Sequence, residues 1–111
     1  MSAKAGEFYF IDDPRSRLGL SEYGRPCLVV GSMGTSAIIV LCSTKIELKD
    51  QRDFVILKDR PEFPATGLEE TSYLILDPPR TIQASLLTKR LGEATGHLRH
   101  ELEDWWGEPF S

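Results

Sequence analysis

Arg25, Ser43, Asp77 and Arg80 are the residues of this chain whose types and settings suit chemistry on a phosphate. Arg25 stands just before an apolar run, Pro26-Cys27-Leu28-Val29-Val30, and Ser43-Thr44 stands just after a second, Ala37-Ile38-Ile39-Val40-Leu41-Cys42. If the two runs pair as an antiparallel hairpin across a Gly31–Ser36 turn, Arg25 and Ser43 arrive at the same edge of a sheet. A guanidinium presents a planar fork of donors that matches a phosphate, and a neighbouring hydroxyl adds one more. Further on, Asp77-Pro78-Pro79-Arg80-Thr81-Ile82 offers a carboxylate and a second arginine. Such a set can perform acid–base chemistry on a phosphodiester. Each member also has a plainer use. Arg25 can pin a loop by pairing with Glu22 or Asp12, Ser43 and Thr44 can close a strand, and Asp77 is a common turn residue.

The elements that must position these groups follow from the patterning. Gly6–Ile11 reads as an aromatic-rich first strand. Residues 12–24 read as a long loop with Pro14, two glycines and the cations Arg15 and Arg17. After the strand pair, 45–52 is polar and loop-like, and Asp53–Leu57 is a short strand. Residues 58–69, with two prolines and Gly67, are expected to be another loop. Thr71–Leu76 is a strand that Pro78-Pro79 should end, since proline donates no ladder hydrogen bond. Arg80–Ile82 continues as a short strand, and 84–91 fits strand or helix. Leu91, Ala94, Leu98, Leu102 and Trp105 recur at three- and four-residue spacing, the apolar stripe of an amphipathic helix. Thr95 is its expected N-cap, and Gly107 with Pro109 its stop. The expected fold is mainly β with one helix (β+α). It is a small, strongly curved barrel of five to six or more short antiparallel strands with a C-terminal amphipathic helix, in one domain over 1–111.

The bulk properties narrow the function. The 111 residues have 41% apolar content, a soluble globule's composition rather than a disordered chain's. No stretch approaches the roughly 18 apolar residues of a membrane span. The first residues lack a signal peptide's apolar core, so a cytoplasmic location is expected. Cys27 and Cys42 fall inside predicted strands without metal-ligand spacing and read as small buried hydrophobes. Thirteen basic against 17 acidic residues give a net charge of −4, and the excess acid is mostly beyond residue 60. A net acidic chain gains little from non-specific attraction to nucleic acid, so binding RNA requires a local basic site. His97 and His100 sit three apart, but no third ligand stands at ligand spacing, and a solvated helix face is expected there. Trp105 and Trp106 can stack bases or pack on the barrel; their place on the stripe favours packing.

Read together and in order, several segments resemble the MazF/PemK/Kid family of bacterial toxin endoribonucleases. They are Gly6-Glu7-Phe8-Tyr9, Arg25-Pro26-Cys27-Leu28-Val29-Val30, Leu41-Cys42-Ser43-Thr44, and Gly67-Leu68-Glu69-Glu70-Thr71-Ser72 followed by Asp77-Pro78-Pro79-Arg80-Thr81-Ile82. The likeness runs from about Gly6 to the terminal helix. It implies an SH3-like barrel, a homodimer, a cognate antitoxin as partner, and metal-independent, cofactor-free cleavage of single-stranded RNA. In that reaction the ribose 2′-OH attacks its own phosphate and leaves a 2′,3′-cyclic phosphate. By the same resemblance Arg25, Ser43 and Asp77 are the catalytic set, with Thr44, Arg80 and Arg17 as substrate contacts. The chain departs from the family at Asp77-Pro78-Pro79, where Asp-Gln is usual, and in the loop before Arg25. Those departures and the acidic balance leave an alternative, a weak or inactive barrel of the same superfamily that binds a protein partner. A peptide-binding barrel using exposed aromatics such as Tyr23 and Tyr73 is a third reading.

Overall fold

A computed structural model describes residues 3–11, 25–44 and 53–110, with the side chains of 76–78 excepted. The expected loop 12–24, with Arg17, and the polar stretch 45–52 lie outside the described residues. Six strands are described: β1 (Glu7–Ile11), β2 (Arg25–Met33), β3 (Ser36–Ser43), β4 (Phe54–Ile56), β5 (Ser72–Gln83) and β6 (Leu87–Glu93). They form one sheet in the order β4-β5-β3-β2-β1-β6, every pair antiparallel. Two helices accompany it, the single turn α1 (Phe63–Thr66) and the C-terminal α2 (Gly96–Trp106). This is the expected β-rich architecture with a terminal helix.

Both faces of the sheet are covered, which is why β2 and β3 read as unbroken apolar runs rather than alternating ones. One face carries Phe8, Leu28, Val40, Cys42 and Leu74 beneath Leu98 and Leu102 of α2. The other carries Tyr9, Ile11, Cys27, Val29, Ala37, Ile39, Ile82 and Leu87. Successive residues such as Cys27 and Leu28 therefore enter different cores, as the two-residue period of a strand requires. Both cysteines are buried and free.

The chain differs from the expectation in four places. The hairpin between β2 and β3 is tighter than Gly31–Ser36. Met33 pairs with Ser36, and Gly34 (φ +58°) turns the chain with Thr35. Pro78-Pro79 does not end a strand, because β5 runs through both prolines. The ladder slips there instead: Ile75 faces Leu41 while Arg80 faces Ile39, an irregularity where missing proline donors cost no ladder bond. Residues 58–69 are not all loop, since Pro64 opens α1 and Gly67 (φ +74°) closes it. Finally, Leu91 belongs to β6 and Ala94 precedes α2, whose stripe begins at Leu98. Pairing of β6 with β1 extends to Glu93, and the Ala94 N–H donates to the Gly6 carbonyl at 2.7 Å, so these residues are held extended.

The sheet is drawn round on itself through α1. A Cβ at Gly92 on β6 would stand 2.1 Å from the Ala65 carbonyl oxygen, and one at Gly67 2.1 Å from that of Leu91. Only glycines permit this backbone contact between the edge strand and the turn following β4. Glu62 then ties α1 to α2. It accepts the Leu98 N–H at 3.3 Å and pairs with Arg60 at 3.2 Å, while Arg60 also reaches Glu101. Thr95 is the N-cap by position and extended conformation but makes no side-chain cap bond; Glu62 supplies the acceptor in the first turn.

Candidate functional site

Arg25 is the first residue of β2, opposite Ile11 of β1. On its other side β2 and β3 pair as Cys27 with Leu41, and two residues further along that end stand Arg25 and Ser43. Ser43 in turn faces Tyr73 of β5, and Tyr73 faces Val55 of β4. One lateral row therefore crosses five strands as Ile11, Arg25, Ser43, Tyr73 and Val55. Residues directly opposite on one face have Cβ atoms about 5 Å apart. Arg25 and Ser43 thus stand at the same end of the β2–β3 pair, as the hairpin reading expects.

Arg80 joins them from further along β5. Its register partner Ile39 and its neighbour Ile82 both lie in the core that also holds Cys27 and Val29, so Arg80 and Arg25 share a face. Both arginines are half-buried and Ser43 is buried. Burial is the chief reason the Arg25 guanidinium is held below its ordinary range, and the positive charge of Arg80 acts in the same direction. A Cys42 thiolate would oppose this, but burial pushes that thiol well up, so it is neutral at physiological pH. Arg25 still carries its charge. Two arginines thus bring positive charge to one partly buried face of the sheet, the sign a phosphate requires.

The other expected site residues are placed as follows. Thr44 is exposed in a bend just beyond β3. Asp77 lies in β5 between Ile75 and Arg80, and its side chain is outside the described residues, as is all of Arg17. His100 is exposed near Glu103 at 3.7 Å, and among the described residues no three metal-ligating side chains gather. Trp105 packs on Phe54 at 5.8 Å between ring centres, against the core as its stripe position implies. Cys27, its thiol pushed up to about 12 mainly by burial, is an unreactive core residue in the row next to Arg25. Tyr73 had only its aromaticity to mark it. Its place beside Ser43 depends on the β3–β5 register, which the proline slip conceals from sequence reading.

Comparison with known proteins separates fold from sequence. No family profile matches the chain, and no curated protein matches it. Among solved structures, an endoribonuclease from a mycobacterial species superposes with a TM-score of 0.64 at 18% identity, covering 100% of this chain and 97% of that one. A second, a mycobacterial endoribonuclease in complex with its cognate antitoxin, gives 0.62 at 21% identity with 100% of each chain covered. The fold is the same. It is shared end to end with these endoribonucleases, terminal helix included, while the side chains on it have diverged widely.

Open grooves among the described residues lie elsewhere, two of them above 600 Å³. One, of about 620 Å³, runs past Lys4, Glu7, Arg90, Glu93 and Arg99; the other, of about 660 Å³, lies along the β2–β3 turn and Gln83–Leu87. In the first, Arg90 is already paired with Glu7 at 2.7 Å and Glu93 at 3.7 Å. The first also holds Ser32 beside these cations, but its acidic residues Glu7, Glu93 and Glu108 oppose a phosphate there; the second is lined by no cation.

Proposed function

We propose that this chain is the toxin of a type II toxin–antitoxin pair, an endoribonuclease that cuts single-stranded RNA without a metal ion. The observation that carries this reading is the gathering of Arg25, Ser43 and Arg80 on one face of a fold shared along its whole length with endoribonucleases. Arg25 stabilises the negative charge that builds on the non-bridging phosphoryl oxygens as the 2′-OH attacks, and its depressed pKa is relieved as that charge grows. Ser43 donates to a non-bridging oxygen or holds the 2′-OH, and Arg80 is the second cation on the phosphate. Asp77 moves the proton, as base for the 2′-OH or acid for the leaving 5′ oxygen. Thr44 and Arg17 contact the flanking backbone. The product ends are a 2′,3′-cyclic phosphate and a 5′-OH. The active species is a homodimer in the cytoplasm, neutralised by an antitoxin, as the likeness to the antitoxin-bound neighbour suggests.

The test is incubation of purified protein with a long single-stranded RNA in excess EDTA, alongside Arg25→Ala, with fragment ends mapped. Discrete cuts ending in cyclic phosphate are expected from the native protein. The variant should lose at least about 100-fold in rate, the scale of one transition-state donor, with an unchanged melting temperature. Full activity in Arg25→Ala would remove Arg25 from the reaction. One observation favours a second reading: a net charge of −4 suits a barrel that binds a protein partner rather than RNA. Intact RNA across many substrates, with no growth arrest on expression without antitoxin, would select that reading.

A further inference from the structure

We propose that Tyr73 is the platform on which the nucleobase flanking the bound phosphate stacks. The proposal rests on the reading of Arg25 and Ser43 as a phosphate site and extends it to the base. Tyr73 is the direct cross-strand partner of Ser43, on the side of β3 away from Arg25. Strands are spaced about 4.8 Å apart, so the Arg25 and Tyr73 backbones, two strands apart, stand about 10 Å from one another. A phosphate seated over Arg25 and Ser43 thus has an aromatic ring within the reach of its own nucleotide.

The surroundings of Tyr73 suit a base rather than core packing. It is half-buried, while its neighbours Ser72 and Leu74, on the opposite face, are buried. Val55 beyond it and the adjoining pair Leu41 and Ile75 are also only half-covered, so the row around Tyr73 is apolar and partly accessible. The β1 end of that adjoining row is closed, with Tyr9 and Cys27 nearly or wholly inaccessible. The row therefore changes from cation to hydroxyl to aromatic across three adjacent strands, the order in which a nucleotide offers phosphate, sugar and base. Stacking on an aromatic ring tolerates any base, because each has a π-face. Tyr73 would accordingly add affinity and orientation without choosing a sequence.

The test uses two labelled probes and fluorescence anisotropy: a random-sequence pool of 2′-O-methyl RNA hexamers, and a fully abasic hexamer with the same sugar–phosphate backbone. Neither needs cleavage to be read. Wild-type protein should prefer the base-bearing pool by roughly tenfold, the scale of one base–aromatic stack. Tyr73→Leu should bind both probes alike, Tyr73→Phe should keep the preference, and Tyr73→Trp should increase it. Arg25→Ala should weaken both probes by the same factor. A Tyr73→Leu protein that retains the wild-type preference, beside an Arg25→Ala protein that binds weakly, overturns the platform and leaves the phosphate site standing. If Arg25→Ala binds both probes as wild type does, or wild type binds neither, the phosphate reading fails and the platform with it. Should Tyr73→Leu melt early, the Phe and Trp variants decide: no effect of ring size overturns the proposal.

Discussion

At the scale of single residues, the charges that hold the fold are distinct from those proposed to meet a ligand. Glu7 is of the first kind. It receives the Arg90 guanidinium at 2.7 Å, the Lys4 backbone N–H at 2.7 Å and the Tyr9 hydroxyl at 3.3 Å. Burial pushes its carboxyl up, but the bonds from Arg90 and Lys4, the Arg90 charge and the Tyr9 bond outweigh burial and hold it below the usual range. A lowered folded-state pKa means stability that is present above about pH 4.5, the unfolded value, and lost as pH falls through the folded one. Glu7→Gln should therefore cost about 1 kcal/mol at neutral pH, a modest figure because Arg90 is 45% exposed. Melting curves of the two proteins should converge as the pH is lowered below that range; a constant gap at every pH would refute the ionic account. Arg25 and Ser43 were legible in the sequence because each stands where an apolar run stops, and a polar residue at that boundary faces a strand end whatever the tertiary fold. Tyr73 was not, because its role depends on which strand lies opposite and in which register.

At the scale of elements, strands announced themselves and their joints did not. The runs at β2 and β3 are apolar on both faces, so their burial could be read directly. The passage of β5 through Pro78-Pro79 could not, because a local rule about proline donors yields when the ladder slips at that point. The joint between α1 and β6 is similar: Gly67 and Gly92 look like ordinary punctuation, yet Gly67 lies against the Leu91 backbone and Gly92 against that of Ala65 and Thr66. Gly92→Ala should cost about 3 kcal/mol, on the order of 10 °C in melting temperature, since the clash is with a carbonyl that cannot rotate away. Gly34→Ala, where a Cβ meets nothing within 4 Å, should cost only about 1 kcal/mol for the positive φ. Equal losses at the two sites would refute the contact account, because Gly92, unlike Gly34, has no positive φ.

At the scale of the whole molecule, an acidic protein is proposed to hold a polyanion with two neighbouring cations. That predicts weak salt dependence. If only the Arg25 and Arg80 pair displaces counterions from single-stranded RNA, the slope of log affinity against log salt should be about −1.4. A slope several times steeper would reveal a broad basic surface that the described residues lack. The sheet order carries a consequence for biosynthesis. β1 lies between β2 and β6, and Glu7 pairs with Glu93. At roughly 5–20 residues per second, translation leaves β1 without its second neighbour for several seconds after β2 has emerged. A nascent chain of this topology holds an exposed sheet edge throughout that interval. Whatever shields the edge must do so at the ribosome, before the barrel is able to close.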